Sequence, residues 1–361
     1  MKNKMSILMA MALLLLWSGC TGEVLTEENP VRVESERAIV FDDGFVDNNV
    51  QTRAAITTPL SQHHVTMGVW GWETDPAGEE NLLFVNQLVK FEGDSVDVHN
   101  WTYNPQKYWN ESNLYRFYAY APHDAMRASI DAVTGRVSIQ NIVLTGANLQ
   151  QPASHTIKDN FSMSADTDWM VARGGQSVPG TYRYKVNFNM KHILAKFMAA
   201  VRLGSALVND PDNPQVTITQ LTIGNFASKG SFAQQFDHTP NPEDVTEMSV
   251  PEWTLDASAA PYALSTASAA TATAAPIYLL ESLLLPQEVG DDIVAKLSYT
   301  ISYQDGRTER FVHTLSLKEA FSRFCGGCCY TITFTINPRV ISFDSGICNW
   351  EAEYESETMV E

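Results

Sequence analysis

The chain has few basic residues and few cysteines, and after its first twenty residues it has no long apolar run. It contains 24 Lys and Arg against 42 Asp and Glu, which gives a formal net charge of −18 at pH 7. Binding of nucleic acid through a general field needs clustered Lys and Arg that neutralise phosphates, so this composition excludes it. A transmembrane helix needs about 20 apolar residues, so no segment after the first twenty residues is expected to cross a membrane.

The familiar catalytic motifs are also missing. The sequence has no Gly-x-Ser-x-Gly, no phosphate-binding glycine loop and no His-Glu-x-x-His, the local signatures of several hydrolase, nucleotide-binding and zinc-peptidase classes. The doublet His63–His64 has no third ligand near it, and neighbours on a strand point to opposite faces. A glycosidase carboxylate pair is positioned by the fold, and nothing local supports one. We expect a protein that is not an enzyme and that uses no cofactor or metal.

What the sequence does have is an export signal. Two lysines precede the apolar run Met5–Trp17, which is followed by Ser-Gly and Cys20. The run is too short for a transmembrane helix and ends in small residues, as in a secretory signal. Cys20 after Ser-Gly also looks like a lipobox, although Trp17 stands where an aliphatic residue is usual. We predict a lipoprotein signal peptide at 1–19 and lipidation, including palmitate, at Cys20; an ordinary signal peptide with a chance cysteine is the alternative.

From Ala54 onward the sequence consists of short apolar runs of period two, separated by Gly, Pro, Asn and Asp. Such alternation is typical of half-buried strands. The Asp305-Gly306 pair between two of the runs predicts a hairpin. The runs are His64–Trp70, Leu82–Phe91, Arg136–Ile139, Tyr182–Phe188, Val216–Ile223, Ile293–Tyr303, Arg310–Leu315, Tyr330–Ile336 and Val340–Phe343.

Three further segments need separate interpretation. Val31–Phe41 is a plausible first strand within a polar, acidic stretch. Lys191–Leu203 fits a helix or a strand, and we favour a strand because it directly follows an alternating run. Ala257–Pro276 is rich in Ala, Ser and Thr and low in large side chains, so we expect a long surface loop.

The pattern predicts an all-β chain of about 14–16 short strands, which is too many for one simple sandwich. We therefore predict two β-sandwiches in tandem, with the boundary in the aperiodic stretch Gly174–Gly180. After the signal peptide, the expected divisions are a tether with the first strand at 20–53, an N-terminal sandwich at 54–178 and a C-terminal sandwich at 179–361.

Four cysteines besides Cys20 lie close together near the end of the sequence: Cys325, Cys328, Cys329 and Cys348. Their spacing is not that of a disulfide framework spread through the fold. A disulfide between Cys348 and one of the other three suits an oxidising compartment, and buried thiols are the alternative. A four-thiolate zinc site is disfavoured, because the adjacent Cys328 and Cys329 would point to opposite faces of a strand.

Several short motifs occur in a fixed order between Trp70 and Trp350. They are Tyr103–Trp109 (YNPQKYW), Leu114–Pro122 (LYRFYAYAP), Asp168–Ala172, Val186–Lys196, Leu283–Gln287, Tyr330–Phe334 and Ile341–Phe343. Together with the lipobox, this order resembles the fimbrillin-like family, the type V pilins and accessory subunits of Bacteroidales-type bacteria. In Leu114–Pro122, alternation places Phe117 and Ala119 on one face of a strand and the two tyrosines on the other.

The resemblance implies two transthyretin-like β-sandwiches and transport as a lipoprotein to the outer membrane. An extracellular trypsin-like protease would then cut after an arginine behind the first strand. Loss of that strand opens a groove that a strand of the next subunit fills. Arg53, followed by Ala54, matches this arginine best, because Arg32 and Arg37 fall inside the candidate first strand.

The implied partners are other fimbrial subunits (stalk and anchor), the outer membrane before processing, the protease, and a host or bacterial surface receptor. The acidic segment Glu351–Glu361 offers few of the alternating apolar residues that a donor strand needs. This favours a tip or accessory subunit that mediates adhesion at the fimbrium. The alternative is a stand-alone outer-membrane surface lipoprotein that binds a glycan or host protein without polymerising.

Overall fold

A computed structural model describes residues 38–41, 45–46, 66–92, 101–147, 162–163, 166–167, 170–173, 185–186, 188–236, 249–266 and 268–349. The chain divides into two compact units, Met1–Ala38 and Ile39–Glu361. The first unit lies outside the described residues except for Ala38. The predicted domain boundary at Gly174–Gly180 also lies outside them.

The described residues form 24 strands, one α-helix (α1, Ser205–Val208) and one 3₁₀ turn (Leu317–Glu319), which confirms the all-β prediction. Seven of the strands have only two residues, and these account for much of the excess over the expected number. The strands are β1 Phe45–Val46, β2 Met67–Thr74, β3 Glu80–Phe91, β4 Trp101–Thr102, β5 Leu114–Ala121, β6 Ala128–Asp131, β7 Arg136–Val143, β8 Ser162–Met163, β9 Asp166–Thr167, β10 Met170–Arg173, β11 Asn189–His192, β12 Ala195–Leu203, β13 Gln215–Phe226, β14 Lys229–Gln235, β15 Glu252–Leu255, β16 Tyr262–Ser265, β17 Ala270–Thr271, β18 Ile277–Leu284, β19 Gln287–Glu288, β20 Val294–Ser302, β21 Thr308–Ser316, β22 Arg323–Phe324, β23 Cys328–Ile336 and β24 Ile341–Asn349.

The largest sheet has seven strands in the order β1-β11-β10-β5-β2-β3-β4. Its pairs are antiparallel except for β1, which runs parallel to β11. Both faces of β5 are buried: Phe117 and Ala119 belong to one apolar cluster, and Tyr118 and Tyr120 to another. The division of these side chains between two faces is the one that the alternation predicts.

A four-stranded sheet, β15-β14-β7-β6, contributes to the second of these clusters. In it Phe232 of β14 pairs with Ile139 of β7, so this sheet contains strands from both sides of residue 178. The largest sheet also contains strands from both sides of residue 178, because it includes β11. The number of independently folding domains and their boundary stay predictions.

Most of the remaining strands form a sandwich whose two main sheets are β18-β12-β23-β24 and β16-β13-β20-β21, whereas β8 and β9 form a separate pair. A single apolar cluster lies between them, with Phe197 of β12 and Phe334 of β23 on one side and Ile223 of β13 and Leu297 of β20 on the other. Each of these side chains is fully buried. Alternation along both layers therefore produces one continuous core.

The hairpin prediction is confirmed, because β20 and β21 pair antiparallel around Asp305 and Gly306. Gly306 has φ = +86°, a conformation that glycine adopts without a Cβ penalty. The backbone N–H of Arg307 donates to Oδ1 of Asp305 at 2.9 Å. Within the described part of the chain, no helix has the length and apolarity of a membrane span.

Lys191–Leu203 belongs to the strands β11 and β12, which confirms the strand interpretation. The expected surface loop at Ala257–Pro276 is wrong in part, since β16 and β17 both pair with β13. Leu264 of β16 and Ala272 are buried against the sandwich core. The pairing with a long central strand orders a segment whose own composition is poor in large side chains.

Candidate strand-exchange site

The segment Ile39–Phe41 lies at the edge of the seven-stranded sheet, beside the residues that lead into β11. Phe41 forms a parallel bridge with Val186, and the backbone N–H of Val186 donates to the carbonyl oxygen of Val40 at 2.8 Å. Farther along, β1 continues the parallel pairing with β11. Among the described residues, Phe41 and β1 thus lie at the outer edge of this sheet.

The other side of the segment is held by the loop before β5. The backbone N–H of Ile39 donates to the carbonyl oxygen of Lys107 at 2.9 Å. The carbonyl oxygen of Ile39 accepts from the Tyr103 hydroxyl at 2.7 Å and from Nε2 of Gln106 at 3.2 Å. Burial raises the pKa of Tyr103, so its hydroxyl stays protonated and can donate.

The side chain of Phe41 anchors the segment in an aromatic pocket. It is 0% exposed and stacks on Phe188, with ring centroids 5.7 Å apart. Phe84, Tyr103 and Phe117 surround it with edge-on contacts at centroid distances of 5.5, 5.4 and 6.1 Å. We call the site formed by these four rings, Lys107, Gln106 and Val186 the edge slot.

An emptied edge slot would have two properties that favour a new strand. The pocket of aromatic rings would lose the apolar side chain that keeps water out of it. The Val186 N–H would lose the Val40 carbonyl, and the Lys107 carbonyl would lose the Ile39 N–H while keeping longer contacts to Tyr103 and Gln106. Unpaired ladder groups beside exposed apolar positions are a template for another extended segment. In this structure the edge slot holds an extended segment of the chain itself, Ile39–Phe41.

The family of the chain follows from a comparison with family models, one of which, described as fimbrillin-like, matches residues 52–350. The chain belongs to the fimbrillin-like family. The resemblance inferred from the motif order is thereby confirmed. No curated protein matches this fimbrillin-like chain.

Among solved structures, the fimbrillin-like chain is similar to a fimbrial protein from Bacteroides vulgatus, with a TM-score of 0.54, 15% identity, and coverage of 87% of this chain and 99% of that one. A structure from Bacteroides uniformis whose name refers to cell adhesion has a TM-score of 0.43 at 14% identity, covering 87% and 98%. The C-terminally truncated tip fimbrial protein Mfa3 from Porphyromonas gingivalis has a TM-score of 0.29 at 10% identity. This match covers 80% of this chain and 96% of that one. At such identities the Bacteroides vulgatus likeness shows the fold alone.

The predicted processing residues Cys20, Arg53 and Ala54 lie outside the described residues. Of the predicted first strand Val31–Phe41, the described end is the part that fills the edge slot. The sequence did not reveal the role of Tyr103 and Gln106 in holding this strand. Their motif, YNPQKYW, was the available signal, because it combines aromatic residues with polar groups next to an aromatic strand.

The four cysteines that follow Cys20 lie at one end of the sandwich, where β23 begins and β24 ends. Cys325 and Cys328 flank the turn Gly326–Gly327, while Cys329 and Cys348 are directly opposite each other on β23 and β24. Burial raises the pKa of Cys328, and the nearby thiols of Cys325 and Cys348 raise it further. No disulfide joins any two of them in the structure. The disulfide of Cys348 with one of the other three stays a prediction.

Proposed function

We propose that this chain is a non-enzymatic fimbrial subunit, in a tip or accessory position, that assembles by strand addition after proteolysis and mediates adhesion. Membership of the fimbrillin-like family supports a fimbrial, adhesion-type protein at the cell surface. The observation that carries the assembly mechanism is the burial of Ile39 and Phe41 in the edge slot. Because few residues hold this edge strand, a strand from another subunit can take its place in the sheet.

The energetic argument for replacement concerns the groove left behind. Fully burying side chains such as Ile39 and Phe41 contributes about 1.5–3 kcal/mol each, and each backbone hydrogen bond contributes about 0.5–1.5 kcal/mol net. Removal of the segment loses the contributions of side-chain burial and of the backbone hydrogen bonds at the same time. A donor strand from another subunit that fills the same slot would restore them, so assembly is favourable once the slot is open.

The geometry also specifies what the donor must offer. Ile39 and Phe41 are two positions apart and both point into the core, so a donor needs apolar residues at two alternate positions, with a large one at the Phe41 position. The donor residue at the Ile39 position must present its N–H to the Lys107 carbonyl. The residue between them must present its carbonyl to the Val186 N–H.

The proposed release step is cleavage between Arg53 and Ala54. In sequence, Arg53 follows β1, so this cut would place Cys20 and the first strand on one fragment and the rest of the chain on the other. Lipid at Cys20 would hold the uncut protein at the outer membrane. Processing by an extracellular trypsin-like protease would open the edge slot and free the subunit from its tether in the same step.

The partners in this proposal are stalk and anchor subunits of the fimbrium and a receptor on a host or bacterial surface. The tip or accessory position rests on the acidic Glu351–Glu361 segment, which is poorly suited to be a donor strand. Deletion of Glu355–Glu361 should then leave incorporation into the fimbrium intact. Loss of assembly on this deletion would point instead to a donor role for this segment.

The central experiment is limited trypsin digestion of the full-length protein, followed by N-terminal sequencing and separation of oligomers on a gel without boiling. We expect a new N-terminus at Ala54 and a ladder of oligomers that appears only after cleavage. Arg53→Ala should abolish both, whereas Arg37→Ala should still be cut at Arg53. Surface fibres whose subunits keep the 21–53 segment would contradict the proposal. Cleavage without oligomers would favour the stand-alone surface lipoprotein.

A further inference from the structure

Cys329 and Cys348 are register partners in the antiparallel pair β23–β24. Residues directly opposite in such a pair project to the same face, with Cα atoms about 4.5–5.5 Å apart. Disulfides need Cα separations of about 4.4–6.8 Å, so the whole of this range is compatible with a bond. The thiol of Cys348 is already close, since its Sγ lies 3.8 Å from the carbonyl oxygen of Cys329.

The other two cysteines lie on a different side of the strand. Cys328 packs against the sandwich core together with Tyr330 and Ile332, whereas Cys329, one residue along, points to the opposite face. The backbone N–H of Cys325 donates to the Tyr330 hydroxyl at 2.8 Å, so Cys325 also lies beside this core-facing ring. Cys329 is thus the cysteine of this group that shares a face with Cys348.

We propose that Cys329 and Cys348 form a cross-strand disulfide in the exported protein, which fastens the last described strand to its neighbour. The reaction is thiol–disulfide exchange with a donor disulfide, which is either a protein disulfide or a small-molecule disulfide. The thiolate of Cys348, which is partly exposed, attacks the donor and releases one thiol. The thiol of Cys329 then loses its proton, displaces the second donor thiol and closes the bond. Two protons and two electrons leave the cysteines, and the two donor sulfurs become thiols.

The position of this bond gives it a mechanical role. Among the described residues, β24 is the outermost strand of its sheet and pairs with β23 alone. Cys348 is next to the last residue of β24. A bond there would hold β24 to β23 at the end where the chain continues to Glu361, so tension on that end could not peel β24 away before the bond breaks. This role does not depend on removal of the first strand.

Peptide mapping tests the pairing directly, using full-length protein exported to an oxidising compartment and alkylated before digestion. Trypsin cuts after Arg323 and Arg339, which gives the peptides 324–339 and 340–361. A bond from Cys348 to any other cysteine of this cluster joins the two peptides without reductant. We expect the joined product in the wild type and in the Cys325→Ser/Cys328→Ser double variant, and its loss in Cys329→Ser.

Two outcomes would overturn the pairing. One is an alkylated Cys348 on a separate 340–361 peptide, including the case in which Cys325 and Cys328 are bonded to each other. The other is a joined product that survives Cys329→Ser but not the double variant. Thermal unfolding gives an independent check: reductant should lower the Tm of the wild type and of the double variant by several °C. It should have no such effect on Cys348→Ser, a variant that leaves the buried Cys329 in place.

Discussion

The ring of Phe41 stacks on the ring of Phe188, with centroids 5.7 Å apart and planes 22° apart. Phe41 precedes β1 and Phe188 precedes β11, and these two strands run parallel. Aromatic pairs contribute about 0.5–1.5 kcal/mol beyond the area that they bury. The outermost strand is therefore attached by ring contacts as well as by backbone hydrogen bonds, and both would be lost when it leaves the sheet.

Replacing Phe41 with alanine should loosen this attachment. The ring is fully buried among four other rings, so Phe41→Ala should lower the free energy of unfolding by about 3–5 kcal/mol. The fraction of molecules with an open edge slot should rise as well. Urea unfolding measures the first effect, and the rate of limited trypsin cleavage at Arg53 measures the second.

Phe334→Ala is the matched control for this variant. Phe334 is also 0% exposed, but it lies on β23, in the apolar cluster between the two main sheets of the sandwich. Phe334→Ala should lower the free energy of unfolding by a similar amount. It should not selectively increase cleavage at Arg53 under native conditions. Equal cleavage rates in the two variants would show that Phe41 has no special part in holding the first strand.

Tyr103→Phe tests the hydrogen bond that holds the carbonyl of Ile39. The variant keeps the ring against Phe41 and removes only the hydroxyl, which lies 2.7 Å from that carbonyl. We expect the free energy of unfolding to fall by only about 0.5–1.5 kcal/mol, because Gln106 remains as a second donor to the Ile39 carbonyl. Amide hydrogen exchange at Ile39 and Val186 should accelerate. In Tyr299→Phe, a change on β20 outside the seven-stranded sheet, exchange at both amides should be unaffected; equal acceleration there would contradict the assignment.

Alternation in the sequence was sufficient to predict where side chains point, but not which strands meet. It placed Phe117 and Tyr118 on opposite faces of β5, as the structure has them. It could not predict that Phe41 meets Phe188, because pairing between residues so far apart leaves no local pattern. It also missed β16, where Leu264 is ordered by pairing with β13 and not by its own neighbours.

Gly68→Ala should destabilise the centre of the seven-stranded sheet. A Cβ at this position would overlap the ring of Tyr120. That ring cannot yield freely, since it stacks on Trp70 at 4.9 Å and its hydroxyl bonds Oδ1 of Asn86 at 2.7 Å. Overpacking of this kind costs about 1–3 kcal/mol, measurable by urea unfolding. Gly346→Ala on β24 is the control, because a Cβ there meets no atom within 4 Å; a similar loss in both variants would refute the clash.

The last prediction concerns acid stability at Asp256, after β15. The Ser258 hydroxyl donates to Oδ1 of Asp256 at 2.6 Å and Lys229 Nζ lies 3.0 Å from Oδ2, so these contacts lower the pKa of Asp256 to about 2. A lowered pKa means that the stabilisation is fully present above the ordinary value of 3.8 and is lost as the pH falls through about 2. In an NMR titration, Ser258→Ala should raise the pKa more than Lys229→Met does. A wild-type midpoint near 3.8 would show that the Ser258 contact does not form in solution.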